Sequence, residues 1–161
     1  VALGQHTADA MTTGANNIAL GLNALGASTD GVNNIAIGES ALGASVNDGD
    51  QNVAIGRTAL GEGDVSGCYN VALGNSAGKI LTTGSANVLI GQSTADAMTS
   101  GACNVAIGLN ALGASTTAHK NVAIGMGAMA TVGDVAAENN VAIGSDAHSA
   151  CCGAGTNNVS I

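Results

Sequence analysis

The residues able to do acid–base, nucleophilic or metal chemistry are few: His6, His119 and His148, the thiols Cys68, Cys103, Cys151 and Cys152, and 11 carboxylates among 161 residues. The histidines fall at unrelated places, and none has an Asp or Ser partner at a recurring spacing. The converging groups that an enzyme site requires are therefore not indicated. Gly61-Glu62-Gly63 reads as a turn, because no Lys followed by Ser or Thr completes a phosphate-binding loop. Asp48, Asp50, Asp64 and Asp134 are candidate calcium ligands by type, but the tandem Gly-Gly-x-Gly-x-Asp ladder of calcium-bound solenoids is missing, so solvated loops are expected. No catalytic residue, cofactor or metal is expected.

Charge and hydropathy narrow the partners. A net charge of −8 repels phosphate backbones and anionic headgroups, so nucleic acid is excluded as a partner. Glycines and polar residues interrupt every apolar run below the roughly 18 residues of a spanning helix, so no direct membrane insertion of this segment is expected. No basic leader segment follows Val1.

What remains is a scaffold, and its plan is a repeat. With 25 Gly, one Tyr and no Phe, Trp or Pro, the core must be thin. The pentapeptide Asn-(Ile/Val)-Ala-(Ile/Leu)-Gly places Asn at 17, 34, 52, 70, 87, 104, 121 and 140 (Asn17, Asn34, Asn52, Asn70, Asn87, Asn104, Asn121, Asn140). Its glycines are Gly21, Gly38, Gly56, Gly74, Gly91, Gly108, Gly125 and Gly144, spaced by 17 to 19 residues. A headless copy ends at Gly4 and a last one stops at Ile161, as expected for a segment of a longer fibrous protein. Branched residues alternating with Ala predict a short strand. A helix is excluded, since its recurrent glycines would each cost about 1 kcal/mol. Stacking successive strands at about 4.8 Å gives an all-β, parallel β-solenoid of about nine coils, about 45 Å long, as a single repeat array over residues 1–161.

Two expectations concern how side chains are disposed. Large residues such as Ile18 and Leu20 are expected inside the coil, which puts Asn17, Ala19 and Gly21 outside. The column Ala19, Ala36, Ala54, Ala72, Ala106, Ala123 and Ala142 is then a closely packed subunit interface, or else a featureless surface. The asparagines form amide ladders along the axis or supply local turn hydrogen bonds. Inside the coil, Leu25, Leu42 and Leu112 accompany Ser28, Ser45 and Ser115, whereas Ala8, Gly78 and Ala95 accompany Met11, Leu81 and Met98, as if one shared space is filled from either position.

The motif with its downstream Ala, as in Asn52 to Ala59 or Asn104 to Ala111, resembles the head repeats of trimeric autotransporter adhesins and the repeats of bacteriophage tail fibres. The resemblance covers essentially the whole chain, although the coil is longer than in the adhesin heads and the invariant Asn stands where Ser is usual there. It implies a left-handed β-roll, association as a homotrimer, an extracellular location on a virion or cell surface, and attachment to a host-surface glycan or protein receptor.

Other surface features are weaker. Thr82-Thr83, Thr99-Ser100 and Thr116-Thr117 share a phase on successive coils and form a candidate binding column. Ice binding would need both hydroxyls of a Thr-x-Thr outward, so turn residues at a corner fit the geometry better, with a sugar groove between these readings. Cys68 and Cys103 lie two coils apart, about 10 Å, beyond disulfide reach, so free thiols are expected. The leading expectation is a structural shaft or head segment of a fibrous adhesin or tail fibre; the alternative is a monomeric solenoid binding ice, glycan or mineral. A polysaccharide-cleaving solenoid would need paired carboxylates at one phase, and the phase shared by Glu39 and Arg57 holds no such pair.

Overall fold

A computed structural model describes residues 1–46, 49–130, 137–149 and 156–161. Among the described residues there is no helix, and every motif copy forms a short strand. The strands are β1 (Ala2–Leu3), β2 (Ile18–Leu20), β3 (Ile35–Ile37), β4 (Val53–Ile55), β5 (Val71–Leu73), β6 (Val88–Ile90), β7 (Val105–Ile107), β8 (Val122–Ile124), β9 (Val141–Ile143) and β10 (Val159–Ser160). They build one parallel sheet in chain order, with Ala19 beside Ala36, Ala36 beside Ala54 and Ala106 beside Ala123. The expected β-solenoid of about nine coils is the fold.

The rest of each coil is made of turns. After β2, the amides of Ala24, Gly26 and Ser28 each donate to a carbonyl three residues back, giving overlapping turns. Other amides of the same stretch reach neighbouring coils: Asn23 donates to Gln5 at 3.0 Å and Leu25 to Ala41 at 3.0 Å. Every side of the solenoid is thus stitched along its axis. The motif glycine begins these turns for a steric reason. Gly38 has φ +130°, and a Cβ there would lie 2.6 Å from the carbonyl oxygen of Gly56. Only glycine lets the two coils approach so closely at that φ.

The strand alternation is as expected, but its faces are reversed. Ala19, Ala36, Ala54, Ala72, Ala106, Ala123 and Ala142 are buried inside the coil, whereas the flanking branched residues point outward, with Ile18 38% exposed. The alanine column is not a subunit interface. The cause is volume. Leu25, Leu42, Leu60, Leu112 and Met129 project into the coil from the turns and are fully buried together with Ala24, Ala41, Ala59, Ala111 and Ala128. At close-packed density the space facing them admits a methyl group, not a second branched side chain. The exception supports this: Leu89 replaces Ala in β6, and a Cβ on Gly78 would lie 2.7 Å from Leu89 Cδ1 and 2.8 Å from Leu60 Cδ2. Leu89 occupies the room that Gly78 vacates. The shared filling also holds at the other pairs, with Ser28, Ser45 and Ser115 buried beside the leucines and Leu81 and Met98 buried where the leucine is missing.

The invariant asparagines face inward too, against expectation, and form the amide ladder. Asn70 Oδ1 accepts the Asn87 backbone N–H at 3.1 Å and Asn87 Nδ2 at 3.0 Å, while Asn87 Nδ2 also donates to the Gly101 carbonyl at 2.8 Å. The same set recurs from Asn87 to Asn104 and from Asn104 to Asn121. Asn17 and Asn34 accept the backbone N–H of the following rung at 2.8 Å each.

Two outcomes are expected in denaturant unfolding. Asn87→Ala strands the Asn104 backbone N–H and the Gly101 carbonyl, while Asn104 Nδ2 keeps the Ala118 carbonyl, and should cost about 2–6 kcal/mol at 1–3 kcal/mol per buried unpaired group. Leu89→Ala should cost about 3–5 kcal/mol through its cavity. Adding Gly78→Ala to Leu89→Ala should recover part of that loss, whereas Gly78→Ala alone should destabilise by overpacking; additive effects would show that the two sites do not share space.

Candidate functional surface

The reversal of faces creates the most distinctive surface of the molecule. The first and third residues of β2 to β9 are all Ile, Val or Leu, two from each of eight strands, sixteen in all. They form two parallel columns of partly exposed aliphatic groups, spaced about 4.8 Å along the axis and about 7 Å across it. Ile18, Ile55 and Ile143 are 38–40% exposed, and the strip contains no polar side chain. Monomers seldom leave so continuous an apolar surface in water, and such strips mark contact surfaces.

Two rims border the strip. One is the residue after the motif glycine, where exposed Glu39, Arg57, Leu109 and Met126 stand. The other is the residue before the motif asparagine, where Gln51, Tyr69, Cys103 and Lys120 stand, and Tyr69 is 63% exposed. Among the described residues, Glu39, Arg57 and Lys120 are the charged groups on strip or rims; the other described carboxylates lie elsewhere on the coils. A chain of net charge −8 thus keeps this face nearly neutral.

The titratable groups are dispersed. His6 Nδ1 pairs with Asp9 Oδ2 at 2.8 Å on an exposed turn, with Gln5 Nε2 3.4 Å from His6 Nε2. Sequence reading missed this local pair, although a three-residue spacing across a turn is a usable signal. His119 Nδ1 accepts the Ala102 N–H at 3.2 Å, and His148 lies several coils from His6, so the structure does not bring the histidines together. Asp50 and Asp64, expected as solvated loops, accept the backbone N–H groups of Val32 at 2.9 Å and Val46 at 2.8 Å, sealing the preceding coil. Asp48, Asp134, Cys151 and Cys152 lie outside the described residues. No group of three His, Cys, Asp or Glu among the described residues could hold a metal ion. Cys68 and Cys103 are free; Cys68 Sγ accepts the Asp50 N–H at 3.3 Å, and Cys103 is exposed. Lys79 pairs with Glu62 at 3.1 Å on the surface.

The hydroxyl column is part of the axial stitching. Thr82 Oγ1 donates to the Thr99 carbonyl at 2.9 Å, and Thr99 Oγ1 to the Thr116 carbonyl at 3.3 Å. Thr12 and Thr29 do the same on earlier coils. Thr83 is exposed, while Ser100 and Thr117 are half-buried. A cavity at the N-terminal end, lined by Ala2, Ala8, Met11, Asn17 and Ala19, is the solenoid interior seen end-on. No helix among the described residues is long and apolar enough to cross a membrane. Comparison with family models, curated proteins and solved structures found no match to the chain.

The hydroxyl geometry makes a simple prediction. Thr82→Val and Thr99→Val keep side-chain shape and remove one axial hydrogen bond each, so each should lower unfolding stability by about 1 kcal/mol. An unchanged midpoint for both would show that these hydroxyls do not contribute to the stack.

Proposed function

We propose that this chain is a structural shaft or head segment of a fibrous surface adhesin or phage tail fibre, acting outside the cell or on a virion as a homotrimer. Its task is mechanical: to hold an attachment site away from its particle or cell, or to contribute to attachment to a host-surface glycan or protein receptor. The observation that carries this reading is the apolar strip, unbroken from β2 to β9 and nearly free of charge. A solenoid hydrogen-bonded on every side is a stiff rod. The strip gives such rods a reason to lie side by side, because aliphatic burial at about 25 cal/mol per Å² favours association and no like charges oppose it. The subunit contact is assigned to the branched columns in place of the alanine column.

A monomeric module for ice, glycan or mineral leaves the strip in water, and its best hydroxyl column already donates to neighbouring carbonyls. That geometry favours the assembled rod.

Sedimentation equilibrium of the chain should give three times its 15.2 kDa mass. Ile37→Lys and Val105→Lys each place a charge on the strip and should weaken assembly at least tenfold while leaving the β-sheet circular dichroism intact. A stable wild-type monomer would overturn the proposal.

A further inference from the structure

Tyr69 is the one tyrosine of a chain without Phe or Trp, and the core does not use it: its side chain is 63% exposed midway along the rod. It stands in the column of residues that precede the motif asparagines, between Gln51 and Ala86 on the adjacent coils. The backbone of this column is left-handed, with φ +60° at Asn33, +60° at Gln51, +64° at Tyr69 and +58° at Ala86. Asn tolerates that conformation better than other residues with a Cβ, and Asn16, Asn33, Asn139 and Asn157 hold equivalent places. A bulky ring there gains nothing from its backbone and fills no space inside the coil. Residues held against local preference concentrate at functional sites.

The surroundings of the ring select a ligand. The side-chain amides of Gln51 and Asn33, one and two coils away, have no partner among the described residues, and neither has the Tyr69 hydroxyl. Each amide offers two donors and an acceptor. The backbone beneath them is tied to its neighbours: the N–H of Tyr69 donates to the Asp50 carbonyl at 3.2 Å, that of Gln51 to Val32 at 3.0 Å and that of Asn33 to Ala15 at 2.9 Å. On the other side of the ring Ala86 is small and leaves the approach open. Column residues repeat about every 4.8 Å, close to the width of a pyranose ring, so a linear oligosaccharide along the axis meets one of them per sugar. The apolar face of a sugar covers an aromatic ring while the hydroxyls at its edge reach the amides. Charge selects against acidic sugars: exposed Asp50 adjoins Tyr69, Arg57 stands on the opposite rim, Lys79 pairs with Glu62 at 3.1 Å, and Lys120 lies three coils on. Resting on the reading of the chain as an attachment element, we propose that Tyr69, Gln51 and Asn33 form a binding site for neutral saccharide, with the ring as stacking surface and the amides as hydroxyl-binding groups. The site lies on the rim, outside the two aliphatic columns, and stays open in the assembled rod.

Because the chain has one Tyr and no Trp, its tyrosine emission reports Tyr69 alone. On an array of neutral and acidic oligosaccharides the wild-type chain should bind neutral members, and a bound neutral glycan added in solution should reduce the quenching of this emission by acrylamide. Tyr69→Asn suits the left-handed backbone, so it should keep the circular dichroism and the unfolding midpoint yet lower affinity about tenfold or more. Tyr69→Phe retains the ring and should bind within about threefold of wild type. Gln51→Ala should weaken binding about five- to tenfold, as expected for the loss of one hydrogen-bonding amide. The site is overturned if no neutral glycan binds, if Tyr69→Asn binds as well as wild type, if acidic glycans are preferred, or if acrylamide does not reach Tyr69 in the free assembly. Sedimentation separates this from the preceding reading: a trimer that binds no neutral glycan overturns the site alone, whereas a monomer that binds through Tyr69 overturns the trimer and supports the site.

Discussion

The buried asparagine column is the constraint on which the rest of the solenoid depends. An amide inside an apolar coil finds most of its hydrogen-bond partners in the adjacent coil, and leaving a buried polar group unpaired costs about 1–3 kcal/mol. Asn52 answers this by accepting both amide groups of Asn70, and Asn70 by reaching the Gly84 carbonyl. Each rung is complete only when the next coil lies in register. Hydrophobic stacking of similar coils tolerates slippage; this column does not, so it converts a repetitive sequence into one structure.

A second consequence follows from how little space the coil encloses. Ladder asparagines, turn leucines and the strand alanine together fill the interior, and close packing leaves no room for the branched strand residues. Those residues are pushed outward into a continuous aliphatic strip. The same shortage of room explains why Leu89 is accommodated only beside Gly78. The aliphatic strip is thus the by-product of a narrow core, and the rims beside it carry little of the acidic charge of the chain.

Because each coil touches only its neighbours, stability is distributed along the axis and not concentrated in one core. Turn amides, threonine hydroxyls and the carboxylates of Asp50 and Asp64 all point along that axis, each closing a hydrogen bond between coils. Polar side chains that could belong to a binding site are used instead to hold the stack together.

Period, strand positions, parallel stacking, the glycine turns and the compensating pairs such as Leu25 with Ser28 were all legible in the sequence, because each depends on spacing or on volumes that recur along the chain. Spacing also dictated that Ile18 and Ala19 face opposite ways. It could not dictate which of them faces inward. That choice compares the volume of the strand side chains with the space left by Leu25 and its equivalents across the coil, and this space exists only once the turns have folded back. The tertiary structure decided it in favour of alanine, turned the asparagines inward into a ladder, and moved the candidate contact surface from the smallest side chains of the motif to the largest.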